Sequence, residues 1–108
     1  MDEIKIYKLD EKKSYDCYNL NLVKRTDKVA MYAKYHKNDN YLVGYEVFKV
    51  MIGRVRGNLL NSQKYKGYTY YEIYPCNNNF GVFAWDICGK ECSERAEKKY
   101  NELLNNVK

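Results

Sequence analysis

Two runs rich in β-branched and aromatic residues, Lys28 to His36 and Tyr41 to Val50, flank Lys37-Asn38-Asp39-Asn40. Four polar, turn-prone residues between two such runs predict a β-hairpin, and a hairpin must find further strands or a helix to bury its apolar side. If it closes symmetrically about Asn38 and Asp39, Ala33 faces Gly44 and Met31 faces Glu46. One face then carries Val29, Met31, Ala33, Tyr35, Leu42 and Phe48; the other carries Ala30, Tyr32, Tyr41, Val43, Tyr45 and Val47. Both faces are largely apolar, whereas an antiparallel sheet commonly buries one and wets the other. The hairpin is therefore either central and covered twice, or its tyrosine-rich side is a docking surface. The expectation is a helix over the first face, with the face of Tyr32 and Tyr45 partly open.

The remaining segments supply strands and that helix. Ile4, Ile6 and Leu9 mark a short strand or strand edge, and Tyr18, Leu20 and Leu22 alternate with Asn19 and Asn21 as a strand does. Tyr68 to Tyr74 is a further strand stopped by Pro75, and Phe80 to Ile87 is the last. Between them, residues 51–67 hold two interior glycines and no sustained period. They predict a long irregular excursion, of a kind more often functional than merely connective. From 90 to 106 the chain reads as a helix. Cys92, Ala96, Tyr100, Leu103 and Val107 form one apolar stripe, and Glu91 with Arg95 and Glu94 with Lys98 have the spacing of supporting pairs. The fold class expected is α+β: one domain over 1–108, an antiparallel sheet of about four to five strands, and a C-terminal helix packed across it.

Several function classes find no support. No apolar run approaches the roughly 20 residues needed to span a bilayer. The opening Met-Asp-Glu-Ile-Lys-Ile-Tyr lacks the basic-then-apolar order of a secretory leader, so a cytosolic location without membrane attachment is expected. Cys17, Cys76, Cys88 and Cys92 offer one close pair and two isolated thiols, short of the paired spacing of a zinc site. They read as free thiols, with no metal or other cofactor. The lone histidine, His36, flanks the hairpin turn. No serine or cysteine lies in a nucleophile motif, no glycine-rich phosphate loop opens a helix, and the carboxylates are scattered. A non-enzymatic binding protein is the expectation.

Charge gives the sharpest signal. The chain carries +5, and between Glu46 and Glu72 lie Lys49, Arg54, Arg56, Lys64 and Lys66 without a single acid. The rest of the chain balances, so the whole excess falls on one strand end and the excursion after it. Tyr65, Tyr68 and Tyr70 are interleaved there, among thirteen tyrosines in 108 residues. Lysine and arginine on phosphates with tyrosine rings on bases is the chemistry of RNA and single-strand binding. The same residues also suit an acidic protein surface. Candidate contact residues are accordingly Lys49, Arg54, Arg56, Lys64, Tyr65, Lys66 and Tyr68, with Tyr32 and Tyr45 on the sheet.

The stretch Tyr45-Glu-Val-Phe-Lys-Val, with Tyr74-Pro-Cys-Asn-Asn-Asn-Phe-Gly and Phe83-Ala-Trp85, resembles small uncharacterised proteins of phages and mobile elements in Bacteroidetes-type bacteria. In size and style the chain is also similar to phage-encoded inhibitors of bacterial defence nucleases, the anti-CRISPR proteins. That likeness implies an inhibitor or modulator acting in the host cytosol on a bacterial protein or nucleoprotein complex. A direct RNA or single-strand binder using segment 49–70 is the alternative. Self-association as a homodimer is a further possibility where a sheet face or edge is open.

Overall fold

The expected hairpin forms, and its strands are the third and fourth of a five-stranded sheet. The computed structural model describes residues 4–106, apart from the Asn77 side chain. Met1 to Glu3, read above for the absence of leader character, and Val107 of the helical stripe lie outside the described residues. The described chain divides into two compact units, residues 10–49 with 75–106 and residues 4–9 with 50–74.

The larger unit is a five-stranded antiparallel sheet. Its strands are β2 (Lys12–Tyr15), β3 (Tyr18–Arg25), β4 (Val29–His36), β5 (Leu42–Lys49) and β8 (Ala84–Cys88), in the order β2-β3-β4-β5-β8. Helix α1 (Cys92–Asn106) lies on one face. Ala96, Tyr100 and Leu103 of its stripe bury against Val29, Met31 and Val47, with Tyr45, Trp85 and Ile87 packed around them. The helix begins two residues later than expected. Glu91, just before it, takes a left-handed φ of 58°, and Arg95 donates from its side chain to the Cys88 carbonyl, fixing the strand-to-helix turn. Lys24 pairs with Glu97 and sits 4.6 Å from the centre of the Tyr100 ring, so it caps the helix face.

The hairpin's register corrects the symmetric closure. Tyr35 does pair with Leu42 as symmetry requires, but Lys34 then pairs with Gly44, which leaves Val43 as an extra residue in β5. Beyond that bulge Ala33 faces Tyr45 and Met31 faces Val47. A one-residue slip moves every later side chain to the opposite face. Tyr45 and Val47 therefore lie on the helix side, and Glu46 and Phe48 join Ala30 and Tyr32 on the other. Gly44 explains the irregularity: a Cβ there would stand 2.2 Å from the Ile87 carbonyl oxygen and 2.9 Å from the Cys88 Cα, so only a bare backbone admits β8 alongside. The second face is not the open one expected. Leu20, Ala30, Tyr32, Phe48 and Ala84 are all buried, and the Tyr32 and Phe48 rings stack 5.9 Å apart. Two further strand limits also differ. β2 is an unanticipated edge strand whose Lys-Lys-Ser-Tyr sequence has no apolar alternation. The last strand starts at Ala84, because Gly81 turns with a φ of 91° and donates to the Ala84 carbonyl.

The smaller unit is a three-stranded sheet, β1 (Ile6–Tyr7), β7 (Tyr70–Ile73) and β6 (Met51–Arg54), in the order β1-β7-β6. β1 runs parallel to β7, and β6 antiparallel. The excursion 51–67 is thus less irregular than its sequence implies: it opens with β6, and a 3-10 turn covers Gly57–Asn61. Gly53 breaks the sequence pattern for a packing reason. It faces Tyr71, whose ring atoms would come within 3.0 Å of any Cβ, so the tyrosine ring lies over the bare backbone.

Candidate functional site

In the smaller unit the fold collects most of the residues expected from charge. Arg54 ends β6, Arg56 precedes the 3-10 turn, and Lys64, Tyr65, Lys66 and Tyr68 follow in the turn that leads to β7. Lys5 and Lys8 join them from the N-terminal segment, and all six cations are exposed. Glu72 is the single carboxylate among the unit's described residues, and its side chain is only 1% exposed. It accepts a hydrogen bond from the Leu9 amide at 2.8 Å and lies 3.8 Å from Lys8 Nζ. Buried in this way, it presents no acidic surface of its own, and of the six cations it is Lys8 that it pairs with.

Tyr7, which no sequence argument singled out, organises the aromatic residues. Its ring meets those of Tyr65 and Tyr68 edge-on, each at 5.2 Å, and Tyr65 lies 5.0 Å from Tyr71. Lys64 Nζ stands 5.4 Å from the Tyr7 ring centre and 5.6 Å from that of Tyr65. Lysine held beside aromatic rings is stabilised by the ring quadrupole, and the two together offer a charge and an apolar plane side by side. The structure does not bring the other three expected residues to this unit. Lys49 ends β5 in the larger unit. Tyr45 is half-buried beneath the helix. Tyr32 is a core residue whose hydroxyl donates to the Asp10 carbonyl at 2.6 Å.

The larger unit holds a second constellation, which sequence reasoning missed. Tyr15, Tyr18, Lys34, Glu46 and Asp86 come one from each of its five strands, and with Phe80 they line a pocket of about 300 Å³. The Val43 bulge is what assembles it, since in the unbulged register Glu46 would project from the helix side. Lys34 and Glu46 are 4% and 0% exposed. Lys34 Nζ donates to Asp86 Oδ2 at 2.7 Å, approaches Glu46 Oε2 at 3.6 Å and lies 4.9 Å from the Tyr18 ring centre. The Tyr15 hydroxyl donates to the same Glu46 Oε2.

These contacts set the charge states. Burial pushes the Glu46 carboxyl above its ordinary range, and the Tyr15 hydrogen bond and the Lys34 ammonium offset this only in part. Burial pulls Lys34 down, yet its hydrogen bond to Asp86 and the fields of Asp86 and Glu46 outweigh burial and leave it above its ordinary value. Tyr15 is raised by burial and by its bond to Glu46, and remains a donor. The pocket therefore contains two acids and one firmly held ammonium.

The four cysteines are free thiols, and His36 sits against Asp39 in the hairpin turn, stacked on Tyr41. Among the described residues no helix is long and apolar enough to cross a membrane. A scan against protein-family models, a search of curated proteins and a search of solved structures each return no match.

Proposed function

We propose that this chain is a non-enzymatic binding protein whose smaller unit engages single-stranded nucleic acid. The observation that carries the reading is six exposed cations on a unit whose single described carboxylate is buried, beside a tyrosine cluster with Lys64 above it. Cations of this kind neutralise phosphates, and aromatic rings stack on bases without sequence preference, Tyr68 being the exposed ring of the cluster. The test is a fluorescence-polarisation titration against short RNA, single-stranded DNA and duplex DNA at two salt concentrations. If all six cations contact a single strand, log K falls with log salt at a slope near −4, about 300-fold for a fourfold rise in salt. Arg54→Glu with Arg56→Glu flattens that slope. A slope that the double variant leaves unchanged removes this unit from the interface.

A second reading, an inhibitor or modulator docking on a bacterial nucleoprotein enzyme, is favoured by one separate observation. β6 is an edge strand, and its Met51 and Ile52 side chains are exposed. An unpaired edge with apolar side chains suits strand addition by a protein partner. Capture of the enzyme that persists after nuclease digestion and is lost on Ile52→Glu supports this reading over direct nucleic-acid binding.

A further inference from the structure

The pocket of the larger unit is not used by the reading above, and its chemistry is of the opposite sign. Two carboxyl groups, Asp86 and Glu46, face the ammonium of Lys34 there. The buried ammonium keeps its proton more firmly than a solvated lysine does, because Asp86 and Glu46 more than offset its burial. One acceptor also goes unused. Tyr15 and Lys34 both address Glu46 Oε2, while Glu46 Oε1 is buried without a hydrogen-bond partner. A buried oxygen left so is costly, and a donor supplied from outside would relieve it.

The walls narrow the class of donor. Tyr15, Tyr18 and Phe80 line the pocket, and the ring of Tyr18 already attracts the Lys34 ammonium at 4.9 Å. Ring faces attract cations, and a planar cation can stack on a ring while its edge donates to carboxylates. Asp86, 44% exposed, stands where an entering group can reach it. We propose that this pocket binds a guanidinium group, carried either by an arginine side chain of a partner or by a small free guanidine. Its N–H fork provides the donor that Glu46 Oε1 lacks and can reach the exposed carboxylate of Asp86 as well, in the geometry that a carboxylate accepts. A primary ammonium brings the charge without the plane, and an anion is repelled by both acids.

The experiment is an amide-resolved NMR titration of the full chain with methylguanidinium and with a capped Gly-Arg-Gly peptide. Methylammonium and acetate serve as controls. All probes stay at or below roughly 20 mM, far under the molar range in which guanidinium unfolds proteins. Saturable shifts at the Lys34, Glu46 and Asp86 amides are expected for both guanidinium probes, and weaker or none for the controls. Tighter binding of the peptide assigns the group to an arginine side chain, and tighter binding of methylguanidinium assigns it to a free guanidine. Glu46→Gln and Asp86→Asn should each weaken binding on the order of tenfold, the loss of one charge-assisted hydrogen bond. Asp86 is half-exposed, so its variant remains informative even if Glu46→Gln folds poorly. Three results overturn the proposal: no saturable shift with either guanidinium probe, equal affinity for methylammonium, or undiminished affinity in Asp86→Asn.

Discussion

Among the described residues each unit buries one glutamate, and the two are satisfied by different means. Glu72 accepts from a backbone amide, that of Leu9, with Lys8 reaching it from solvent. Glu46 relies on side chains from separate strands, Tyr15 of β2 and Lys34 of β4, and one of its oxygens has no partner. A backbone donor is fixed by the fold itself, so Glu72 works as a fastener for the chain leaving β1. A donor on a side chain holds only while its own supports hold, and a partly satisfied buried network costs stability that an apolar core would not. Departures of that kind from consistent packing gather where a protein binds something. The buried acid of the smaller unit leaves its surface without an exposed carboxylate among the described residues, and the buried acid of the larger unit leaves one oxygen without a donor.

The largest effect that could break this contrast lies at Lys34. Lys34→Met removes the ammonium that pairs with Glu46 and should cost about 3–5 kcal/mol in urea denaturation, the usual penalty for a buried charge left unpaired. Lys34→Met combined with Glu46→Leu removes both charges and should recover more than half of that loss. If the single variant costs under about 1 kcal/mol, the network is no more demanding than a surface pair. The distinction drawn between the two glutamates then fails.

How much of this was legible depends on whether the signal was local. The hairpin and the helix were, because alternation and the stripe through Ala96, Tyr100 and Leu103 are properties of contiguous sequence. The register was not, since it is decided by β8, whose backbone passes so close to Gly44 that no side chain fits. The one available hint was the glycine itself, inside an otherwise β-rich run, where it commonly marks a bulge. Missing the bulge placed Glu46 on the wrong face, and that hid the pocket. In the smaller unit the surplus of cations could be counted. The burial of Glu72 and the central place of Tyr7 could not, because both follow from the parallel pairing of Ile6 with Tyr70, far apart in the chain. β2 was invisible for want of any apolar alternation in Lys-Lys-Ser-Tyr.

A smaller effect sharpens the contrast from the other side. Glu72→Gln keeps the shape but weakens the charge-assisted bond to the Leu9 amide, and should cost about 1.5 kcal/mol. Because Glu72 acts as a local fastener, hydrogen exchange should quicken at Leu9 and along Tyr70–Ile73 and stay unchanged along Val29–His36. Uniform quickening through both units would mean that Glu72 supports the whole fold, and the assignment of a local role would be wrong.

The smallest signal is one of slope. Glu46 has a folded pKa above its ordinary 4.5, so the folded chain holds that proton more tightly than the unfolded one. Its contribution to stability is complete below pH 4.5 and is lost as pH rises through the folded value. Lys34, held above its ordinary 10.5, contributes stability that is complete below pH 10.5 and is lost only as pH climbs through its own folded value. Above pH 4.5 and below pH 10.5 the fall of Glu46 therefore stands alone of the two. Tyr15→Phe removes a bond that lowers the Glu46 pKa, so it should carry the fall to higher pH, whereas Glu46→Gln should flatten it. Should the fall survive in Glu46→Gln, another group titrates there, and Glu46 is better satisfied than its unpaired oxygen implies. The unpartnered acceptor that distinguishes it from Glu72 would then be gone.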